Sequence, residues 1–318
     1  MAKPTVLLTD VIHPAMRPVL EEHCQVIVAP DASPATLKAL ISKADGLIVR
    51  NKLPDDLFDH APHLRAVVRH GVGLDLIPVA AATQRGIPVA NLPGSNTTAV
   101  VEYCMAAILH LRRPLSKLDE QLRAGGWAAA RPLADAGSEL RGSTLGIVGV
   151  GAIGTRVAAV AAAFGMDVLG LTRRPDTLAQ YVVAADKTTL FSQADVVVLT
   201  CPLNDSTRGL VDAATLALMK PDALLVNVAR AAVVDTAAVL AALAAGQLGG
   251  AALDVHDRQP LAADDPVFSA PRLLLTPHVA GITATSLLGM SRGAVETMLA
   301  LLRNERPANV VNPEVYTT

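Results

Sequence analysis

The chain has 318 residues, 51% of them hydrophobic and 18% charged, and 27 Lys and Arg against 29 Asp and Glu leave a formal net charge of -2. That length predicts about two domains with ample apolar residues for their cores, and the balanced charge excludes a nucleic-acid or membrane-surface footprint. Three scattered cysteines, Cys24, Cys104 and Cys201, exclude a disulfide framework and a cysteine-based zinc site, so no metal and a reducing, cytoplasmic setting are expected.

The N-terminal stretch MAKPTVLLTD lacks the basic and apolar regions of a secretory signal, and no apolar run reaches the ~18–20 residues that span a bilayer. Short β-branched or leucine-rich runs follow at 5–10, 25–29, 46–50, 66–69 and 88–91, with helical stretches between them. Residues 98–113 carry apolar side chains at Val100, Val101, Cys104, Met105, Ile108 and Leu111, the spacing of a long connecting helix. Trp127, in a segment read as a loop, is expected to anchor packing. A second set of strands is expected at 144–149, 167–171, 196–200, 224–228, 251–255 and 273–275, and a returning helix at 286–302. Alternation of this kind reads as parallel sheets covered by helices on both faces. The chain is therefore expected to form two doubly wound, Rossmann-like α/β domains with a cleft between them. The boundaries are a discontinuous, flavodoxin-like substrate domain at 1–97 plus 284–318, and a dinucleotide-binding domain at 98–283.

The sharpest local feature is Gly149-Val150-Gly151-Ala152-Ile153-Gly154. A lone G-x-G-x-x-G is a weak signal among 22 glycines; directly after a strand and directly before a helix it is a strong one. Gly149 permits the tight turn, Gly151 lets backbone N–H groups approach a pyrophosphate at the helix N-terminus, and Gly154 permits close helix–strand packing. An NAD-selective site carries an Asp or Glu about 20 residues on, to hold the ribose hydroxyls. Here Thr172-Arg173-Arg174 stands there. A hydroxyl and two guanidiniums suit a 2′-phosphate, so NADP(H) is the preferred cofactor, with NAD possible.

Seven segments together resemble the D-isomer-specific 2-hydroxyacid dehydrogenase family over essentially the whole chain. They are Gly71-Val72-Gly73-Leu74-Asp75, Asn91 to Asn96, Gly142 to Gly154, Cys201-Pro202-Leu203, Asn227-Val228-Ala229-Arg230, Leu253-Asp254-Val255 and Thr276 to Gly281. The resemblance implies interconversion of 2-keto and D-2-hydroxy acids with a nicotinamide cofactor, in a homodimer whose connecting helix lies at the subunit interface. Glyoxylate and hydroxypyruvate are the substrates expected first. Hydride attack on a keto acid needs a cation to hold the carboxylate and polarise the carbonyl, and Arg230 at a strand's C-terminal end matches that residue. The alkoxide formed at C2 needs a proton, and His278 matches the family's acid in reduction and base in oxidation. Backbone N–H groups of Val72 and Gly73 match the loop that binds the substrate carboxylate, and Arg50 matches a position that faces the cleft. Asp254 matches the acceptor of the nicotinamide carboxamide. Cys201, Pro202, Thr207, Val228, Ala229 and Gly281 match positions along the cofactor.

The sequence departs from the family at its third catalytic residue, a glutamate before a proline, where this chain has Gln259. A glutamate would stabilise the His278 imidazolium, whereas an amide orients the ring without supplying charge. Three readings remain open on these residues. The first is a 2-keto acid reductase with a weaker proton relay and an acid-shifted rate profile. The second resembles formate dehydrogenase, where the glutamate is also replaced by glutamine because hydride leaves formate without proton transfer, although the chain lacks those enzymes' longer N-terminal region. The third is a nucleotide-sensing binding protein like the C-terminal-binding co-repressors. The chain stops at Thr318, so the C-terminal regulatory domain of some phosphoglycerate dehydrogenases is not expected.

Overall fold

The computed structural model describes residues 3–317. They divide into two compact units, one of residues 3–96 with 282–317 and one of Thr97–Gly281.

The first unit holds β1 (Thr5–Leu8), β2 (Gln25–Val28), β3 (Gly46–Val49), β4 (Ala66–Arg69) and β5 (Val89–Ala90). They form one sheet in the order β2-β1-β3-β4-β5, parallel throughout. Successive side chains point to opposite faces. Val6, Leu8, Ile48 and Val68 therefore enter one core cluster with Met290, Ala294 and Met298. Leu7, Leu47, Val49 and Val67 enter a second with Leu37, Ile41 and Leu57. Burial on both faces is why these strands read as unbroken apolar runs rather than alternating ones. All of them but β4 are shorter than the expected runs, and two local causes stand out. The Thr9 hydroxyl takes the Arg50 N–H at 2.8 Å, so a side chain replaces the next rung of the ladder. Pro88 has no N–H to offer β4. The helix Ala284–Leu302 returns to this unit and opens on a capping box between Thr283 and Ser286.

The second unit holds β6 (Thr144–Val148), β7 (Asp167–Leu171), β8 (Val182–Ala184), β9 (Val196–Leu199), β10 (Leu224–Asn227), β11 (Gly250–Leu253) and β12 (Leu273–Leu275). Their order is β12-β11-β10-β9-β6-β7-β8, again parallel. Strand order reverses between β6 and β9, and ligands of doubly wound sheets bind outside the carboxyl ends of the strands at such a switch point. The strand β8 is absent from the sequence expectation because only Val182 of its three residues is buried.

The connecting helix spans Thr97–Arg112. The segment carrying Trp127 is helical rather than a loop, over Leu115–Ala130, with one break at Gly126 (φ 74°). Trp127 is 75% exposed, which corrects its expected role as a packing anchor. The paired glycines Gly125 and Gly126 give the segment its loop-like composition, while leucine and alanine around them sustain the helix. Among the described residues no helix is long and apolar enough to cross a membrane, and no cluster of three or more His, Cys, Asp or Glu suits a metal ion.

Candidate active site

The turn after β6 has the geometry of a phosphate cradle. Gly149 sits at φ 90°, and a Cβ there would lie 2.5 Å from the Cys201 Cα. At Gly154 a Cβ would meet the Gly149 carbonyl oxygen at 2.5 Å, so both glycines are required by the protein's own packing. Gly151 differs, because a Cβ there meets nothing within 4 Å. The space beside it is open, and the helix Ala152–Ala163 that starts there has no side-chain cap on its first N–H groups. Uncapped N–H groups facing open space at a helix N-terminus fit the pyrophosphate of a dinucleotide. The Thr200 hydroxyl, at the end of β9, donates to the Gly149 carbonyl at 2.7 Å and fixes the turn.

A cavity of about 380 Å³ opens on this turn, lined by Gly151, Ala152, Thr155, Arg156, Arg174 and Thr177 among others. Of the expected phosphate ligands it gathers Arg174 but neither Thr172 nor Arg173. Thr172 instead accepts the Arg174 N–H at 3.2 Å and holds the turn that carries Arg174. Arg156 was not expected; its guanidinium donates to Thr98 Oγ1 at 3.2 Å. It lies one helical turn past Ala152, a position that could have marked it. Thr207 lies outside the cavity, and its hydroxyl donates to the Pro202 carbonyl at 2.7 Å, closing the loop after β9. Cys201 is buried beneath Gly149 and serves as packing.

The loop after β12 carries His278 in the left-handed region, at φ 59°, a conformation that non-glycine residues adopt only when their surroundings impose it. Asp254, 1% exposed at the end of β11, imposes it. Its Oδ1 accepts from the Thr276 hydroxyl at 2.6 Å and from the Val279 N–H at 2.8 Å. Its Oδ2 accepts from the Ala280 N–H at 2.8 Å. Because the Thr276 proton goes to the carboxylate, the 2.6 Å contact between Tyr103 Oη and Thr276 Oγ1 has the phenol as donor. Burial pushes the Tyr103 phenol up to about 12. A chain of hydrogen bonds therefore runs from the connecting helix through Thr276 to Asp254 and grips both sides of His278. With three bonds already made, Asp254 has limited capacity left for a carboxamide.

His278 Nδ1 lies 3.2 Å from Gln259 Oε1. The amide's orientation is set by its other end, since Nε2 donates to the His256 carbonyl at 3.3 Å. His256 in turn gives its Nε2 proton to the Thr276 carbonyl at 2.8 Å. An amide oxygen only accepts, so Nδ1 of His278 carries the proton in either charge state. In the neutral ring Nε2 is then a lone-pair acceptor.

Arg230 follows β10, and Asn227 shapes its turn. The Asn227 carboxamide accepts from the Ala229 N–H and donates to the Arg230 carbonyl, both at 3.0 Å. Asn227 is 1% exposed, so it is buried with both functions satisfied. Arg230 Nη1 donates to the Ala229 carbonyl at 2.6 Å. Arg230 and His278 thus stand at the carboxyl ends of β10 and β12, in the sheet whose β6 carries the cradle.

In the first unit, Arg69 braces the Gly71-Val72-Gly73 loop by donating to the carbonyls of Val49, His70 and Gly73 at 2.8, 2.9 and 3.1 Å. Asn91 donates to the Val72 carbonyl at 2.7 Å. Carbonyls of the loop are thereby occupied, and among the described residues the Val72 and Gly73 N–H groups take part in no backbone hydrogen bond. The buried His70 ring meets Ser291 Oγ at 2.8 Å; burial and then the Arg50 charge hold its pKa down at about 4. Arg50 pairs with Asp10 at 3.2 Å and donates to the Val11 carbonyl, and it lines a cavity of about 440 Å³ within this unit.

Comparisons with known proteins agree with this arrangement. The family model for the NAD binding domain of D-isomer specific 2-hydroxyacid dehydrogenases matches residues 105–280. A glyoxylate reductase of Aeropyrum pernix is 36% identical over 327 residues, covering 99% of this chain and 98% of the relative. Among solved structures, an NADPH-dependent glyoxylate/hydroxypyruvate reductase from Sinorhizobium meliloti, in complex with NADP and malonate, is 29% identical with a TM-score of 0.86 over 98% of this chain and 97% of that one. An acyclic imino acid reductase in complex with NADPH and D-Arg is 26% identical with a TM-score of 0.87, covering 96% and 99%. The chain is therefore an NAD(P)-dependent oxidoreductase and belongs to the D-isomer-specific 2-hydroxyacid dehydrogenase family.

Proposed function

We propose that the protein reduces a small 2-oxo acid, glyoxylate or hydroxypyruvate first among them, to the D-2-hydroxy acid with NADPH. The observation that carries this reading is the placement of Arg230 and His278 at strand ends of the sheet that holds the glycine cradle. The bound nicotinamide supplies the hydride; the chain's own residues supply charge and proton. The Arg230 guanidinium is assigned to the substrate carboxylate and to polarising the C2 carbonyl. The Val72 and Gly73 N–H groups of the first unit are proposed as donors to a carboxylate. His278 Nε2 delivers the proton to the C2 oxygen in reduction and removes it in oxidation, oriented through Nδ1 by Gln259.

Preference for NADPH rests on Arg174 and Arg156 at the cradle and on the absence of a carboxylate at the end of β7. One charge-assisted hydrogen bond to a 2′-phosphate is worth about 1.5–3 kcal/mol, so Arg174→Ala lowers kcat/KM for NADPH about 10- to 100-fold and leaves NADH nearly unchanged. Wild-type protein that favours NADH contradicts the assignment. The imino acid reductase among the neighbours brings a second acceptor class into the same reading, the C=N bond of a 2-imino acid. Homodimerisation is proposed on the helix Leu115–Ala130, which exposes Leu115, Leu122 and Trp127, and sedimentation tests it. A cytoplasmic setting is proposed on three buried, unpaired cysteines.

A further inference from the structure

We infer that this site takes protonated 2-imino acids, formed from a 2-oxo acid and an amine, and that the uncharged Gln259 amide beside His278 favours them over the 2-oxo acid itself. The inference rests on the proposed function for the identity of the site and deepens it by substrate class.

It starts from what each acceptor asks of His278. Hydride addition to a C2 carbonyl leaves an alkoxide, so the reaction needs a proton donor at the oxygen, and the imidazolium form of His278 must provide it. A carboxylate 3.2 Å from Nδ1 would favour that form by its charge. Gln259 occupies that distance instead and takes one negative charge away from it. Its second hydrogen bond, to the His256 carbonyl, keeps the oxygen turned toward Nδ1, so the ring is oriented by a group that supplies no charge. In the neutral ring Nε2 offers a lone pair. A carbonyl oxygen is itself an acceptor and finds no hydrogen there. An iminium nitrogen carries N–H bonds and can donate one to that lone pair.

The iminium also needs no proton for reduction. Ammonium, or another protonated amine, condenses with the 2-oxo acid in solution, with loss of water, and its proton stays on nitrogen, giving a cationic C=N group beside the carboxylate. Hydride passes from C4 of NADPH to C2, the C=N π pair becomes the nitrogen lone pair, and the charge is consumed. The products are NADP+ and a neutral amine, which takes its proton from water afterwards. Two electrons are transferred, and His278 gains and loses no proton in the step. The carboxylate is held by Arg230 as in the 2-oxo acid, while the guanidinium's second role at C2 falls away, since an iminium nitrogen has no lone pair to accept its N–H.

The test supplies wild-type protein with NADPH, glyoxylate and a series of ammonium concentrations, and quantifies glycine and glycolate by chromatography. Both products are expected, with the glycine-to-glycolate ratio rising in proportion to ammonium. Gln259→Glu is expected to lower that ratio about tenfold or more, since a neighbouring charge shifts a histidine by about one to three pKa units. Glycolate without glycine at every ammonium concentration, or a ratio unmoved by Gln259→Glu, overturns the inference and leaves the 2-oxo acid reading standing. Formation of neither product overturns both. Should Gln259→Glu fail to fold, replacing ammonium by methylamine decides on wild-type protein alone: N-methylglycine supports the inference and its absence refutes it.

Discussion

Replacing Asp254 by asparagine isolates the device that holds His278. The native carboxylate accepts three hydrogen bonds, from the Thr276 hydroxyl and the Val279 and Ala280 N–H groups, at a site 1% exposed. Asparagine can keep its oxygen at the Oδ1 position, where two of those donors converge. Its NH2 group then faces the Ala280 N–H, and two donors stand 2.8 Å apart where a carboxylate oxygen accepted. One charge-assisted bond is lost, and a buried N–H is left unpaired because Ala280 is only 4% exposed. Together these cost about 2–5 kcal/mol. Thr276→Val removes the charge-assisted bond to Asp254 and also the acceptor of the Tyr103 phenol, leaving the two N–H bonds, for about 2–4.5 kcal/mol, and Tyr103→Phe removes only the outermost neutral bond, for about 0.5–1.5 kcal/mol. Urea denaturation of the cofactor-free protein measures all three, so a role of Asp254 toward the nicotinamide cannot contribute. Losses for Asp254→Asn and Thr276→Val that both exceed the loss for Tyr103→Phe are expected, with kcat falling in the same order as the loop relaxes from φ 59°. An Asp254→Asn loss below about 0.5 kcal/mol, or the reverse ranking, refutes the reasoning.

Gln259→Glu should move the high-pH falling limb of 2-oxo acid reduction upward by about one to three units, because the added carboxylate favours the protonated His278 ring; an unmoved limb refutes the pairing seen at 3.2 Å. Gly149→Ala and Gly151→Ala should separate packing from cofactor binding. The first forces a Cβ to 2.5 Å from Cys201 at φ 90° and should destabilise the fold by about 2–5 kcal/mol. The second meets nothing, so it should leave the melting temperature within a few degrees while weakening NADPH binding in calorimetry. His70 should make stability fall in acid. Its folded pKa of about 4 lies below the unfolded 6.5, so from pH 6.5 down to about 4 the unfolded chain gains a proton that the folded chain refuses. Stability present above pH 6.5 is lost across that window, by about 3 kcal/mol. His70→Gln should flatten this slope in urea midpoints measured at pH 7 and 4.5, and equal slopes contradict it.

Much of the fold was legible because its signals are local. Strands buried on both faces announce themselves as apolar runs, and the glycine loop is read from the strand before it and the helix after it. Strand ends were less legible, since they depend on events across the sheet such as Thr9 taking the Arg50 N–H. The helix around Trp127 was hidden by two adjacent glycines. At the site, Arg230, His278 and Gln259 follow from motif and chemistry, while the apparatus that orients them does not. Tyr103 and Thr276 meet across 173 positions, and nothing in either local sequence marks the contact. Thr172 is expected as a phosphate ligand from its place after β7, and the local sequence does not mark the bond by which its hydroxyl also accepts the Arg174 N–H.

The proposed reaction is hydride transfer to C2 of a small 2-oxo acid with D stereochemistry. Incubation of the protein with hydroxypyruvate and NADPH deuterated at C4, followed by chiral separation and mass spectrometry of the glycerate, tests it most directly. Deuterium at C2 of D-glycerate is the expected result, and L-glycerate, or no deuterated glycerate at all, would contradict it.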